Sequence, residues 1–219
     1  MTTTVEVESE IVPPFSFVAP NGLHALPIAP SPEERAGLSR EFVRELYSSG
    51  NEAIWEPSAP FYAALAEYMA DNGFAYSAMG LFAREEGGVA QCALTVAVAK
   101  TDQTDTEIAA QGILAALSGN PYNDARWLDL PCGPAVSCVR VNELTVQPEV
   151  TRADGPVELL TGQIQVHVPF STGPYTVVFT LDTAAMDYWA EFCNMMSAIL
   201  QTISFESPSE DLSSVSIPA

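Results

Sequence analysis

PVELLTGQIQVHVPFSTGPYTVVFTLDTAAMDYWAEFCNMMSAILQTISF, residues 156–205, reads as two strands joined by a turn and followed by a long amphipathic helix. Leu160, Gly162, Ile164, Val166, Val168 and Phe170 fall on one face of an extended chain. Thr161, Gln163, Gln165 and His167 fall on the other. A period of two marks a half-buried strand. Ser171-Thr172-Gly173-Pro174 supplies turn chemistry. Tyr175, Val177, Phe179 and Leu181 resume the alternation, which predicts a hairpin. Asp182 or Thr183 is placed to cap the helix by accepting from an unpaired backbone N–H. Met186, Trp189, Cys193, Met196, Leu200 and Ile203 then recur every three or four residues, widened by Phe192 and Ile199. Such a stripe faces a core, and the helix is expected to lie across the sheet that holds the hairpin. Sulfur side chains fill irregular gaps there without implying a cofactor.

The rest of the chain supplies more strands and the helices to cover them. Ser31-Pro32-Glu33-Glu34 is a helix start, with a cap, a first-turn proline and acids near the positive end of the dipole. That helix runs to about Ser48. Trp55-Glu56-Pro57-Ser58 introduces a second helix over residues 59–71, with Tyr62, Leu65, Ala66 and Met69 inward. Residues 74–84 and 89–100 form a hairpin around Glu85-Glu86-Gly87-Gly88. Both faces of this hairpin are apolar or small, so both need cover. Thr104 or Asp105 caps a third helix that ends near residues 118–121. Strands follow at 126–130 and at about 135–146, then a polar loop at 147–154. The fold class is therefore α+β, an antiparallel sheet covered by helices on both faces. Residues 1–30 form an extended N-terminal segment kept off a central ladder by its prolines. Residues 31–205 form one domain, and the polar, acidic residues 206–219 form a disordered tail.

The order of helices, hairpin, helix, antiparallel strands and long C-terminal helix resembles the Mog1p/PsbP-like fold. Leu130-Pro131-Cys132-Gly133-Pro134, Arg140, Phe170-Ser171-Thr172 and the stretch from Phe192 to Phe205 resemble uncharacterised actinobacterial proteins. The resemblance covers roughly the second half of the chain and implies a sheet sandwiched by helices. Its motifs are structural and include no catalytic residue.

Charge is the outlying property of the composition. Only 8 Lys and Arg face 28 Asp and Glu, for a net charge of -20 over 219 residues. A surface this acidic repels phosphate backbones and anionic headgroups, so neither nucleic acid nor a membrane is an expected partner. It favours solubility and suits a basic protein partner. No apolar run reaches transmembrane length. The first residues, MTTTVEVESE, have neither a basic start nor an apolar core, so no export signal is expected. Cys92, Cys132, Cys138 and Cys193 show no CxxC spacing and read as reduced cytosolic thiols, with a Cys132–Cys138 bridge left open.

No constellation of catalytic residues is visible. His24 lies among prolines and His167 on a polar strand face; both read as solvated, and no Gly-x-Ser-x-Gly elbow accompanies them. Metal sites need clustered ligands, and neither His-Glu-x-x-His nor paired CxxC occurs. Glu85-Glu86 sits in a glycine turn that faces water, and Gly87-Gly88 has no lysine behind it. Arg84, Arg126 and Arg140 either gather around an anion or pair with the excess carboxylates, the second being favoured. No catalytic, cofactor-binding or metal residue is therefore assigned, and no cofactor. The sequence favours a non-enzymatic cytosolic interaction module, an adaptor or accessory subunit, as a monomer or homo-oligomer. The alternatives are a small-molecule binding protein with a pocket between the sheet and the Trp189 helix, or an enzyme of unrecognised type.

Overall fold

A computed structural model describes residues 2–7, 13–28, 31–85, 87–148 and 154–205. The tail at 206–219, Glu86 and part of the polar loop at 147–154 lie outside the described residues. The strands are β1 (Thr3–Val7), β2 (Phe15–Ala19), β3 (Leu23–Ala25), β4 (Phe74–Ala83), β5 (Val89–Lys100), β6 (Asp124–Leu130), β7 (Gly133–Val146), β8 (Val157–Pro169) and β9 (Tyr175–Thr183). The helices are α1 (Pro32–Leu46), α2 (Glu52–Asp71), α3 (Thr106–Ser118) and α4 (Trp189–Leu200).

The chain is α+β, built on a seven-stranded antiparallel sheet in the order β3-β4-β5-β9-β8-β7-β6. After β5 the chain crosses through α3 to the far edge. It then returns strand by strand until β9 closes on β5, with Cys92 opposite Thr183. β1 and β2 pair separately as a two-stranded ribbon.

Alternation along the strands sets where the core lies. Leu94 and Val96 of β5, Phe179 and Leu181 of β9, and Ile164, Val166 and Val168 of β8 are buried in one cluster. Onto them pack Phe15 and Phe17 of β2 and Phe192, Met196, Ile199 and Leu200 of α4. The aromatic rings interlock: Phe17 meets Tyr76 and Phe179 edge-on at 5.3 and 5.2 Å, and Phe170 lies 4.5 Å from Phe205. A second cluster joins Phe42, Val43 and Leu46 of α1 and Ala59 and Tyr62 of α2, with Leu26, Met79 and Leu81. Met79 and Leu81 alternate with Ala78 and Phe82 and so leave β4 on the opposite side. α3 packs along β6, β7 and β8, and Asp105 caps it by accepting from the backbone N–H of Glu107 and Ile108.

Two helix starts differ from the sequence expectation. α2 begins at Glu52, seven residues before the expected 59, with Asn51 Oδ1 accepting from the N–H of Ala53 at 3.1 Å. It runs through Pro57 and Pro60, each of which removes one intrahelical donor. Both lie beyond the first turn, so the carbonyls of Ala53 and Glu56 forgo their i+4 backbone donors, a cost that packing of α2 on α1 and β4 offsets. At the other end of the chain, Thr183 stays in β9. Its hydroxyl donates to the carbonyl of Gln91 at 2.6 Å and accepts from the N–H of Ala185 at 2.9 Å. A single 3-10 turn, Met186–Tyr188, intervenes before α4, which has no side-chain cap. The buried line of α4 is accordingly Phe192, Met196, Ile199 and Leu200, while Trp189 and Cys193 are half-buried.

Candidate functional site

The helical hairpin of α1 and α2 carries the cavity that stands out on the surface, a groove of about 600 Å³ between their outward faces. Its geometry follows from helical spacing, because residues four apart stack into a row. Pro32, Ala36, Arg40 and Arg44 form the row on α1. Glu52, Glu56, Pro60 and Ala64 form one row on α2, and Trp55, Ala59, Ala63 and Glu67 form the next. The groove thus has a basic wall, an acidic wall and a floor of small side chains. Three of the chain's eight basic residues line it, counting Arg35.

Its two ends are fixed differently. At one end Arg35, 8% exposed, sends Nη2 to Glu67 Oε1 at 3.1 Å and ties α1 to α2. At the other, Trp55 Nε1 donates to the carbonyl of Tyr47 at 3.0 Å, and the Arg44 guanidinium lies 5.9 Å from the indole centroid. Gly50 permits this placement, since a Cβ there would lie 3.1 Å from Trp55 Nε1 and 2.9 Å from the Tyr47 carbonyl oxygen. Beneath, the hydroxyls of Tyr47 and Tyr62 lie 2.9 Å apart. Burial, then that hydrogen bond, pushes the Tyr62 phenol well above its ordinary pKa, so it stays neutral. Between the two ends Arg40 is exposed, and its side chain has no hydrogen bond or ion pair within the described residues. Among the described residues, the groove lining includes no histidine, cysteine or serine. It offers guanidinium forks to carboxylates along α1 and carboxylates to cations along α2.

The residues singled out from sequence lie elsewhere and apart. Arg84 forms a bidentate pair with Asp187 at 2.8 and 3.1 Å and lies 5.2 Å from the Tyr188 ring centroid. Arg126 pairs with Asp124, and Arg140 Nε donates to Asn123 Oδ1 at 2.8 Å. Two of the three thus meet carboxylates and one an amide, with no shared anion site. Glu85 is exposed. Gly87 and Gly88 have φ of 90° and 89°, the left-handed region that glycine reaches without strain. All four cysteines are free, and burial pushes the Cys92 thiol up to about 11, away from the reactive thiolate. This groove lies apart from the contact between the sheet and the Trp189 helix. There the Trp189 indole lies over Gly162. Among the described residues no group of His, Cys, Asp and Glu gathers as a metal site, and no helix is long and apolar enough to cross a membrane.

The histidines are less solvated than their sequence context implies. His24 Nδ1 lies 3.5 Å from Glu45 Oε1. His167 is half-buried on β8, its Nε2 3.0 Å from Gln165 Oε1. Burial first, then the Arg140 charge, holds its pKa below the ordinary 6.5. The unfolded chain therefore binds this proton more readily, and stability falls as pH drops below about 6.5. Differential scanning calorimetry between about pH 7.5 and 5.5 should show a declining melting temperature that flattens in His167→Gln. Identical slopes for both proteins would refute the assignment.

Comparison with protein-family models, with curated proteins and with solved structures finds no match to this chain.

Proposed function

We propose that this protein is a non-enzymatic, cytosolic interaction module that grips a segment of another protein in the α1–α2 groove. The observation that carries this reading is the groove itself, with its arginine wall facing a glutamate wall across a floor of alanine and proline. Helical or extended segments recognised in such grooves place apolar side chains on the floor and charges on the rims. The ligand segment carries carboxylates toward Arg40 and Arg44 and cations toward Glu52 and Glu56. The protein bearing it is net basic, since a chain of net charge -20 steers a basic partner over long range. Association is therefore expected to slow as salt is raised. We also read the helices as covering both faces of the sheet, the sandwich that the Mog1p/PsbP-like resemblance implies. The packing of α4 and of the α1–α2 pair onto oppositely directed side chains supports this.

The test compares tagged wild type, Ala63→Trp, Arg40→Glu/Arg44→Glu and the distant control Tyr122→Glu, purified from the native cell. Tyr122 is 87% exposed and lies outside the groove. One protein should be retained by wild type and control and fall about tenfold with both groove variants, a loss of about 1.4 kcal/mol in binding. Equal retention by all four removes the groove from the reading. A wild type that retains no specific protein removes the reading itself. The volume of about 600 Å³ also falls within the range of small-molecule sites. A ligand of fixed mass on the purified protein in native mass spectrometry would favour that second reading.

A further inference from the structure

We infer that the segment gripped in the α1–α2 groove is an α-helix, lying along both helices as the third member of a three-helix bundle. The inference rests on the groove reading proposed above and names its ligand. That ligand helix carries a stripe of apolar side chains, with two acids four residues apart on one flank and two bases four apart on the other. The charges of the groove specify the flanks. Arg40 and Arg44 are four apart on α1, and Glu52 and Glu56 four apart on α2, so each pair stacks like charges in one row. All four residues are exposed, and among the described residues no ion pair joins either arginine to either glutamate. Two self-repelling rows of opposite sign thus stand on either side of the groove without closing it.

The groove presents three surfaces, a basic wall, an acidic wall and an apolar floor. An extended segment has only two side-chain directions, because successive residues point to opposite sides. Side chains sent to the two walls would leave its backbone on the floor, where Ala36, Ala59, Ala63 and Pro60 offer side chains that cannot bond an N–H. The walls are helices, so no strand edge is present to pair with it. A helix bonds its own backbone and sends side chains all round, so three adjacent stripes meet the three surfaces. The small side chains of the floor let a third helix approach closely. Pro60 also denies the Glu56 carbonyl its i+4 donor, and both residues line the α2 wall. That wall therefore offers a carboxylate and a backbone acceptor together, which suits the several donors of a ligand arginine. The lining runs from Pro32 to Arg44 on α1 and from Glu52 to Glu67 on α2, about 18 and 22 Å at 1.5 Å per residue. A ligand helix of about 12–15 residues matches that length.

Fluorescence anisotropy of the full chain with labelled synthetic peptides of about 15 residues tests this. The first peptide is a helix stapled on its outer face, with an alanine and leucine stripe flanked by two glutamates on one side and two arginines on the other. The second has the same side chains around a central Gly-Pro that breaks the helix. The third is stapled, with one glutamate and one arginine on each flank. The first should bind at least about tenfold more tightly than the other two. It should lose about tenfold on Ala63→Trp and on Arg40→Glu/Arg44→Glu, and nothing on Tyr122→Glu. Arg40 and Arg44 are exposed, and circular dichroism checks that each variant folds. Equal binding of the stapled and the broken peptide, both weakened by Ala63→Trp, overturns the helix and keeps the groove. An interleaved peptide that binds as tightly as the first overturns the charge pattern. Binding that Ala63→Trp does not weaken overturns the groove as well. A stapled helix that fails to bind up to about 1 mM overturns the inference, whatever the native-cell capture retains.

Discussion

Phe17→Ala should lower stability by about 3–5 kcal/mol, the range for emptying an aromatic site in a core. Phe17 is fully buried, although its strand β2 is outside the seven-stranded sheet. Its ring wedges between Tyr76 of β4 and Phe179 of β9. Those two strands are fixed through β5, which hydrogen-bonds to both. The walls of the resulting cavity cannot close without breaking the ladder, so the cost belongs near the upper end. The N-terminal segment is also fastened behind the ring. Ser16 and Ser204 exchange backbone hydrogen bonds at 2.8 and 2.9 Å, and the N–H of Val18 donates to Thr202 Oγ1 at 2.9 Å. Val18→Ala, half-buried on the other side of β2, is the control and should cost under about 1.5 kcal/mol. Urea denaturation of both variants reads the difference. A loss from Phe17→Ala no larger than the control's would make β1 and β2 a detachable ribbon.

Much of this architecture is legible because it is local. The alternation of residues 160–170 and 175–181 specifies β8, β9 and the faces they bury, and Gly87-Gly88 specifies the turn between β4 and β5. What is not legible depends on long-range pairing. Nothing near Cys92 announces that Thr183, ninety-one residues on, will lie beside it. The groove was hidden for a different reason. Trp55-Glu56-Pro57-Ser58 reads as the lead-in to a helix over 59–71, which leaves Glu52 and Trp55 outside it. Once α2 is extended back to Glu52, the rows of four along α2 and the arginines of α1 fall into place. The row Pro32, Ala36, Arg40 and Arg44 was available in the sequence as spacing, but a wall becomes a groove only beside a second one. The start of α4 shows the same limit in small. Thr183 has the chemistry of a cap, and a strand ninety residues away competes for its hydroxyl and wins.

Gly162 and Trp189 should prove strongly coupled. Gly162 is a buried residue of β8, opposite Val141 and Thr183. Glycine weakens a strand interior, and its presence there often marks the close approach of another group. Here the group is the Trp189 indole. A Cβ at Gly162 would collide with the ring, lying 2.8 Å from its Cε3 and 2.9 Å from Met186 Sδ. The indole is a rigid plate at the first turn of α4, so relief requires moving the helix start and the 3-10 turn before it. Gly162→Ala is therefore expected to cost about 1–3 kcal/mol by overpacking, and Gly162→Val more. Trp189→Ala alone is expected to cost about 3 kcal/mol, the low end for tryptophan because the ring is half-buried. In the double variant the added methyl enters the space that the indole vacates. The overpacking penalty shrinks to the contact with the flexible Met186 side chain and part of the cavity is filled, so the combined loss should undercut the sum of the single losses by about 1–3 kcal/mol. Chemical denaturation of the four proteins completes the cycle. Additive losses would mean that the indole does not rest on Gly162, and the seating of α4 on β8 described above would have to be abandoned.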